Sequence, residues 1–133
     1  MEKKSLLNTP PTFSIYVLKL VTDWMIEMGG IEYFEEKSVS QSSRLYKQLE
    51  SYKDFLNLPV CDYSKSRSNI IFKFKNNDLE KKFLHEAGEK GILGLNGHRS
   101  EGATRISLYN SITDEMVDYL SEFIEQFFAN NGR

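Results

Sequence analysis

From Phe13 to Met28 the chain places apolar side chains on two faces of one helix. Phe13, Val17, Leu20, Val21, Trp24 and Met28 recur at spacings of three and four, while Ile15, Leu18 and Ile26 fall on the other side. Such a helix needs cover from two directions, whether by two sides of one core, by a second subunit or by a further domain. It is bounded by Asn8-Thr9-Pro10-Pro11, where Thr9 is placed to cap and a proline in the first helical position forfeits no helical hydrogen bond, and by Gly29-Gly30. With 133 residues there is room for about one domain and a real core.

The remainder alternates helical and extended patterns. Ile31 to about Tyr52 has a thin stripe of Phe34, Leu45, Leu49 and Tyr52, as expected of a half-exposed helix. Leu58-Pro59-Val60 reads as a short extended piece, and Asp62 to Ser68 as a polar loop. In Asn69–Lys75 the period drops to two, with Ile70, Phe72 and Phe74 on one face, which predicts a strand. Asn76-Asn77-Asp78 supplies a turn and a cap for a helix marked by Leu79, Phe83, Leu84 and Ala87 that stops near Gly91. Ile92–Leu95 and Thr104–Tyr109 read as strands, the second with Ile106 and Leu108 toward the core and Arg105 away from it. Thr113 caps a last helix whose buried stripe is Met116, Val117, Leu120, Phe123, Ile124 and Phe127, with Asp114 and Glu115 in its favourable first turn. The order ααβαββα predicts an α/β (α+β) fold, a small sheet of about three largely antiparallel strands covered by helices.

Charge and cysteine content exclude several classes of function. Seventeen Lys plus Arg against nineteen Asp plus Glu leave a net charge of −2, which offers no overall positive field for nucleic acid or an anionic membrane. One cysteine, Cys61, cannot form an intrachain disulfide, and with only His85 and His98 there is no spaced set of zinc ligands. Cys61 has no nucleophile motif around it and reads as a buried or inert thiol. Met1-Glu2-Lys3-Lys4-Ser5 is followed by only two leucines before Asn8, and Lys19 interrupts the longest apolar stretch, so neither a signal peptide nor a membrane span is expected and the reading is cytoplasmic. Walker-type loops, Gly-x-Ser-x-Gly elbows and metal-spaced carboxylates are missing from the sequence.

The densest polar constellation is Gly97-His98-Arg99-Ser100-Glu101-Gly102-Ala103-Thr104-Arg105. Two guanidiniums and an imidazole suit two separate anionic groups, since each arginine presents a planar fork that matches carboxylate or phosphate oxygens. Hydrogen bonds to charged groups contribute about 1.5–3 kcal/mol each, enough together to hold a small dianion. Spacing alone equally suits arginines that merely solvate a hairpin. The Asn8-Thr9 segment is a second anion candidate at a helix N-terminus, although Pro10 and Pro11 remove two of the N–H donors such a site uses.

Taken together, Asn8-Thr9-Pro10-Pro11-Thr12-Phe13 and Gly97-His98-Arg99-Ser100-x-Gly102-x-x-Arg105-x-Ser107-x-Tyr109-Asn110 resemble the phosphoserine aminotransferases, pyridoxal-phosphate enzymes of aminotransferase class V. Trp24, Gly29-Gly30, Arg67-Ser68-x-Ile70-x-Phe72 and Phe83-Leu84 also fall where that family has similar residues. The resemblance runs from about Asn8 to Phe127 and corresponds to the last third or so of the family's enzyme. It implies the carboxy-terminal small domain of a fold-type I transaminase: residues 1–7 a remnant of a preceding segment, 8–30 a connecting helix from an absent large domain, and 31–133 the small domain.

The family exchanges an amino group between phosphoserine and 2-oxoglutarate, giving 3-phosphohydroxypyruvate and glutamate in serine biosynthesis, and works as a homodimer. By resemblance, Asn8 and Thr9 contact the phosphate of pyridoxal 5'-phosphate in the neighbouring subunit. His98 and Arg99 hold the substrate phosphate across the dimer interface, and Arg105 clamps the substrate carboxylate. Glu101 and Ala103 depart from the family pattern, which has a small apolar residue and a second glycine there. The family's cofactor-bearing lysine lies upstream of the segment matching Asn8-Thr9, and none of the twelve lysines here has a comparable setting. The resemblance therefore implies a substrate-gripping part that is inactive alone and contains no catalytic residue. The competing reading from the residues is a stand-alone, non-enzymatic module that binds an anion or a protein partner.

Overall fold

The computed structural model describes residues 8–97 and 102–131. In chain order they form α1 (Thr12–Glu27), α2 (Gly30–Glu50), β1 (Leu56–Asn57), a single 3-10 turn (Asp62–Ser64), β2 (Asn69–Phe74), α3 (Asn77–Glu89), β3 (Thr104–Ser107) and α4 (Asp114–Asn131). The chain divides into two compact units, Met1–Glu36 and Lys37–Arg133.

The first unit is dominated by α1, no residue of which is buried. Phe13 and Ile26, one from each apolar face, are 78% and 73% exposed. The start of the helix differs from the expected cap. Pro11, not Thr9, occupies the N-cap position, with no side-chain bond to the helix. Two successive prolines fix the backbone up to Thr12, so the first helical turn forms beyond the reach of Thr9. Trp24 packs on Phe34 with ring centroids 5.2 Å apart, and Tyr33 meets Phe34 edge-on at 5.1 Å.

The second unit is built on a three-stranded antiparallel sheet in the order β1-β2-β3. Alternation along β2 is realised as read: Ile70, Phe72 and Phe74 are buried, while Asn69, Ile71 and Lys73 are half-buried on the opposite face. Their buried face joins Leu56 from β1, Ile106 from β3, Leu45 and Leu49 from α2, Phe83 and Ala87 from α3, and Val117, Phe123, Ile124 and Phe127 from α4 in one apolar core. Burial of each such side chain is worth about 1.5–3 kcal/mol, and this, rather than helix propensity, holds the polar-faced helices in place.

Three details differ from the sequence expectation. β1 is Leu56–Asn57, paired with Phe74 and Lys73, just before the Leu58-Pro59-Val60 piece expected to be extended. Ile92–Leu95 is not a strand: Gly91 and Gly94 have φ of 75° and 79°, so the chain turns twice, and an isolated β-bridge follows between Asn96 and Thr104. Met116, assigned to the buried stripe of α4, is 56% exposed, and Phe128 is buried instead.

The cap of α3 is present as expected. Asn76 Oδ1 accepts from the N–H of Asp78 at 2.8 Å and of Leu79 at 3.4 Å. Asn76→Ala leaves those two donors to water and is expected to cost about 0.5–2 kcal/mol in urea unfolding, with Asn76→Ser recovering most of it. A loss below 0.3 kcal/mol, roughly the noise of such measurements, would show that the cap does not matter here.

Candidate anion site at the start of the third strand

The start of β3 is the most firmly held part of the predicted site. Thr104 is completely buried, and its hydroxyl donates to Glu80 Oε1 at 2.9 Å, fastening the strand to α3. The N–H of Arg105 donates to the carbonyl of Leu95 at 2.8 Å. At Gly97 a Cβ would stand 1.9 Å from the Ala103 carbonyl oxygen, so only glycine allows the two backbones to approach this closely. Both ends of the interval 98–101 are thus anchored by main-chain contacts. His98 and Arg99, like Glu101, lie outside the described residues. Thr104 and Glu80 escaped the sequence reading because a threonine at a strand start and a glutamate in a helix 24 residues earlier share no local pattern.

Arg105 lies opposite Ile71 in the sheet and is half-buried on the face away from the core. Its Nε is buried and has no hydrogen-bond partner among the described residues. A guanidinium stays charged at any ordinary pH. A buried donor without an acceptor costs about 1–3 kcal/mol, more where charge is involved, so this geometry favours an anion that approaches from outside the chain. Arg105 also lines a groove of about 700 Å³ whose walls include Leu93, Tyr109 and Met116.

Asn8 and Thr9 are exposed and belong to the first unit, whereas Arg105 belongs to the second. At the head of α1 the Thr12 N–H already donates to Pro10 and the Ile15 N–H to Pro11, while neither proline has an N–H to offer. Donors this end can still offer include the Thr9 N–H and the side chains of Asn8 and Thr9. That set fits the rim of a phosphate site and is too sparse to hold a whole cofactor.

A recess of about 430 Å³ that sequence reasoning missed is lined by Ser42, Tyr46, Lys47, Glu50, Lys65 and Arg67, among others. Lys65 bonds Glu50 at 2.6 Å and Asp62 at 2.8 Å. Hydrogen bonds to Asp62 and Glu50 hold its ammonium above the usual lysine range, and the same contact holds Asp62 below the usual carboxylate range. The Lys65 ammonium is held between two carboxylates and is the opposite of the readily deprotonated amine that covalent chemistry requires. Cys61 corrects a further expectation. It is exposed, and hydrogen bonds from the Tyr63 and Ser64 side chains lower its thiol below the ordinary value. Among the described residues no group of three or more His, Cys, Asp or Glu side chains is placed to hold a metal, and no helix is long and apolar enough to cross a membrane.

Known proteins resemble this chain over nearly its whole length. Phosphoserine aminotransferase of Halalkalibacterium halodurans is 39% identical over 130 residues, which is 98% of this chain and 36% of that protein. The solved structure of phosphoserine aminotransferase from Bacillus circulans subsp. alkalophilus superposes with a TM-score of 0.91 at 35% identity, over 98% of this chain and 36% of that one. The phosphoserine aminotransferase of Trichomonas vaginalis, solved with pyridoxal phosphate bound, superposes with a TM-score of 0.84 at 28% identity, over 93% of this chain and 36% of that one. The chain therefore spans little more than a third of the length of the relatives it matches. Because the aminotransferase class-V family profile matches residues 2–120, from before α1 to beyond the start of α4, this chain belongs to the aminotransferase class-V family.

Proposed function

We propose that this chain is the substrate-gripping part of a phosphoserine aminotransferase, which converts phosphoserine and 2-oxoglutarate to 3-phosphohydroxypyruvate and glutamate in serine biosynthesis. The observation that supports the reading is Arg105, a cation on an anchored strand whose buried Nε has no acceptor among the described residues. In this role Arg105 receives the α-carboxylate shared by all four molecules. His98 and Arg99 receive the phosphate at the other end of the substrate, so that one end of the molecule is common and the other selects.

Pyridoxal phosphate, when bound by the complete enzyme, supplies the carbonyl that takes up the amino group and the conjugated ring that withdraws electrons from the reacting carbon. Holding the carboxylate in the Arg105 fork fixes the substrate's orientation, and this positioning accounts for much of the rate such enzymes gain. Asn8 and Thr9 contribute hydrogen bonds to the cofactor phosphate across a homodimer interface. Residues 1–7 belong to a preceding segment, 8–30 form the connecting helix and 31–133 the small domain, and the enzyme works in the cytoplasm.

The test is a hybrid in which the upstream two-thirds of the Halalkalibacterium halodurans relative is joined to this chain at Asn8. It should load pyridoxal phosphate and form glutamate from phosphoserine and 2-oxoglutarate, while the 133-residue chain supplied with cofactor forms none. A folded, cofactor-loaded hybrid without transaminase activity would end the proposal.

A further inference from the structure

Thr104 is out of character with its surroundings. The other core-facing residues of the sheet, Leu56, Ile70, Phe72, Phe74 and Ile106, are all apolar, yet the threonine is completely buried beside them. A buried hydroxyl costs free energy unless it is hydrogen-bonded, and a valine of nearly the same shape would fill this place with no partner to find. The partner here is Glu80, whose Oε1 accepts from the hydroxyl at 2.9 Å. Glu80 lies in the first turn of α3, where the helix dipole favours a carboxylate. That turn is itself held: the Asn76 side chain caps it, and the Glu80 N–H donates to the Asn76 carbonyl at 3.1 Å.

The bond runs across the other contacts that hold the start of β3. Pairing of Thr104 with Phe72 and of Arg105 with Ile71, and the Arg105 N–H bond to the Leu95 carbonyl, lie in the plane of the sheet. In-plane bonds set the spacing between strands and resist the roll of a strand about its own axis only weakly. A tie from the core face to a helix resists that roll. Arg105 is the next residue, and successive side chains of a strand point to opposite faces, so a roll that lifts Thr104 away from Glu80 swings the guanidinium the other way. Being at the end of a long side chain, the guanidinium moves furthest, and a misplacement of about 1 Å at a group that positions substrate can cost on the order of 100-fold in rate. We infer that Thr104 and Glu80 are positioning residues for Arg105: their hydrogen bond sets the roll of β3 and with it the direction in which the Arg105 fork meets the substrate carboxylate. This role rests on the proposed contact between Arg105 and that carboxylate.

The pair is tested in the hybrid enzyme, with rates taken per cofactor-loaded protein and melting temperatures recorded for every variant. Thr104→Val and Glu80→Ala, which remove the donor and the acceptor, are each expected to lower kcat/KM by about tenfold, and by the same factor for phosphoserine and for glutamate, because both carry the carboxylate. Thr104→Ser and Glu80→Gln keep a donor and an acceptor and should each lose less than about threefold. The readout that a merely structural role would not move is a double-mutant cycle: once Arg105→Ala has removed the fork, Thr104→Val should cost less than about a further twofold. The inference is overturned if Thr104→Val loses as much in the Arg105→Ala background as in the parent, or if the two conservative variants lose as much as the disruptive ones. It is also overturned if Thr104→Val costs less than about twofold where Arg105→Ala alone costs on the order of 100-fold, and the carboxylate contact then stands without it. An Arg105→Ala variant that loses less than about threefold ends the carboxylate contact and the positioning role together. Should Thr104→Val fail to load cofactor, Glu80→Ala, at a half-buried position, decides the same comparisons in its place.

Discussion

Arg105→Ala in the completed hybrid enzyme is expected to lower kcat/KM for phosphoserine and for glutamate alike by roughly 100- to 1,000-fold, with little change in melting temperature. The size follows from the forked contact. Two charge-assisted hydrogen bonds to one carboxylate contribute about 1.5–3 kcal/mol each, and about 1.4 kcal/mol corresponds to a factor of ten in rate. The unchanged stability follows from the structure, because the buried Nε of Arg105 satisfies no group within the described chain. Arg105→Lys keeps the charge and loses the planar fork, so it should recover only part of the activity. Arg99→Ala separates the roles: it should affect the phosphorylated pair strongly and glutamate little. Equal losses for both substrates in Arg99→Ala, or less than a threefold loss in Arg105→Ala, would contradict this division.

Phe83→Ala is expected to be the most destabilising single substitution in the second unit, costing about 3–5 kcal/mol. Phe83 is 1% exposed and stands at the centre of an aromatic cluster. Its ring centroid is 5.1 Å from Phe74, 5.1 Å from Phe123 and 5.0 Å from Phe127, with Phe72 at 6.2 Å. The ring therefore links β2, α3 and α4, and its loss leaves a cavity between three elements that cannot all close on it. A domain of this size has only about 5–15 kcal/mol in hand. Urea unfolding followed by circular dichroism should show the midpoint fall steeply, or the native baseline disappear. Phe83→Leu, which keeps most of the volume, should cost less than half as much; equal costs would mean that contact with the rings, not the filled volume, is what matters.

Much of the fold was legible because its signals are local. The alternation of Ile70, Phe72 and Phe74 could only suit a half-buried strand, and the 3.6-residue repeat from Val117 to Phe127 could only suit a helix lying on a core. Asn76 announced its cap by its place before Asp78 and Leu79. The errors fell where two local readings were both sound. Ile92–Leu95 is as apolar as a strand, and nothing within those four residues tells that Gly91 and Gly94 take up positive φ. Leu56–Asn57 is too short to show a period, and it becomes a strand only because Phe74 and Lys73 are there to pair with it. At the site, the spacing of His98, Arg99 and Arg105 named candidate anion binders but could not choose between a ligand clamp and a solvated hairpin.

Residue order alone determined the helices and the alternating strand β2, most of their apolar faces, and which cations the loop before β3 carries, since each depends on neighbours within a turn or two of chain. Folding in three dimensions decided the rest. That Thr104 ties the strand to Glu80, that the Arg105 Nε is shut away without an acceptor among the described residues, and that Arg105 to Tyr109 line one groove all depend on contacts between segments distant in sequence. The cost of such an unpaired donor exists only once the surrounding chain has excluded water from it, and no local pattern of residues can encode that exclusion.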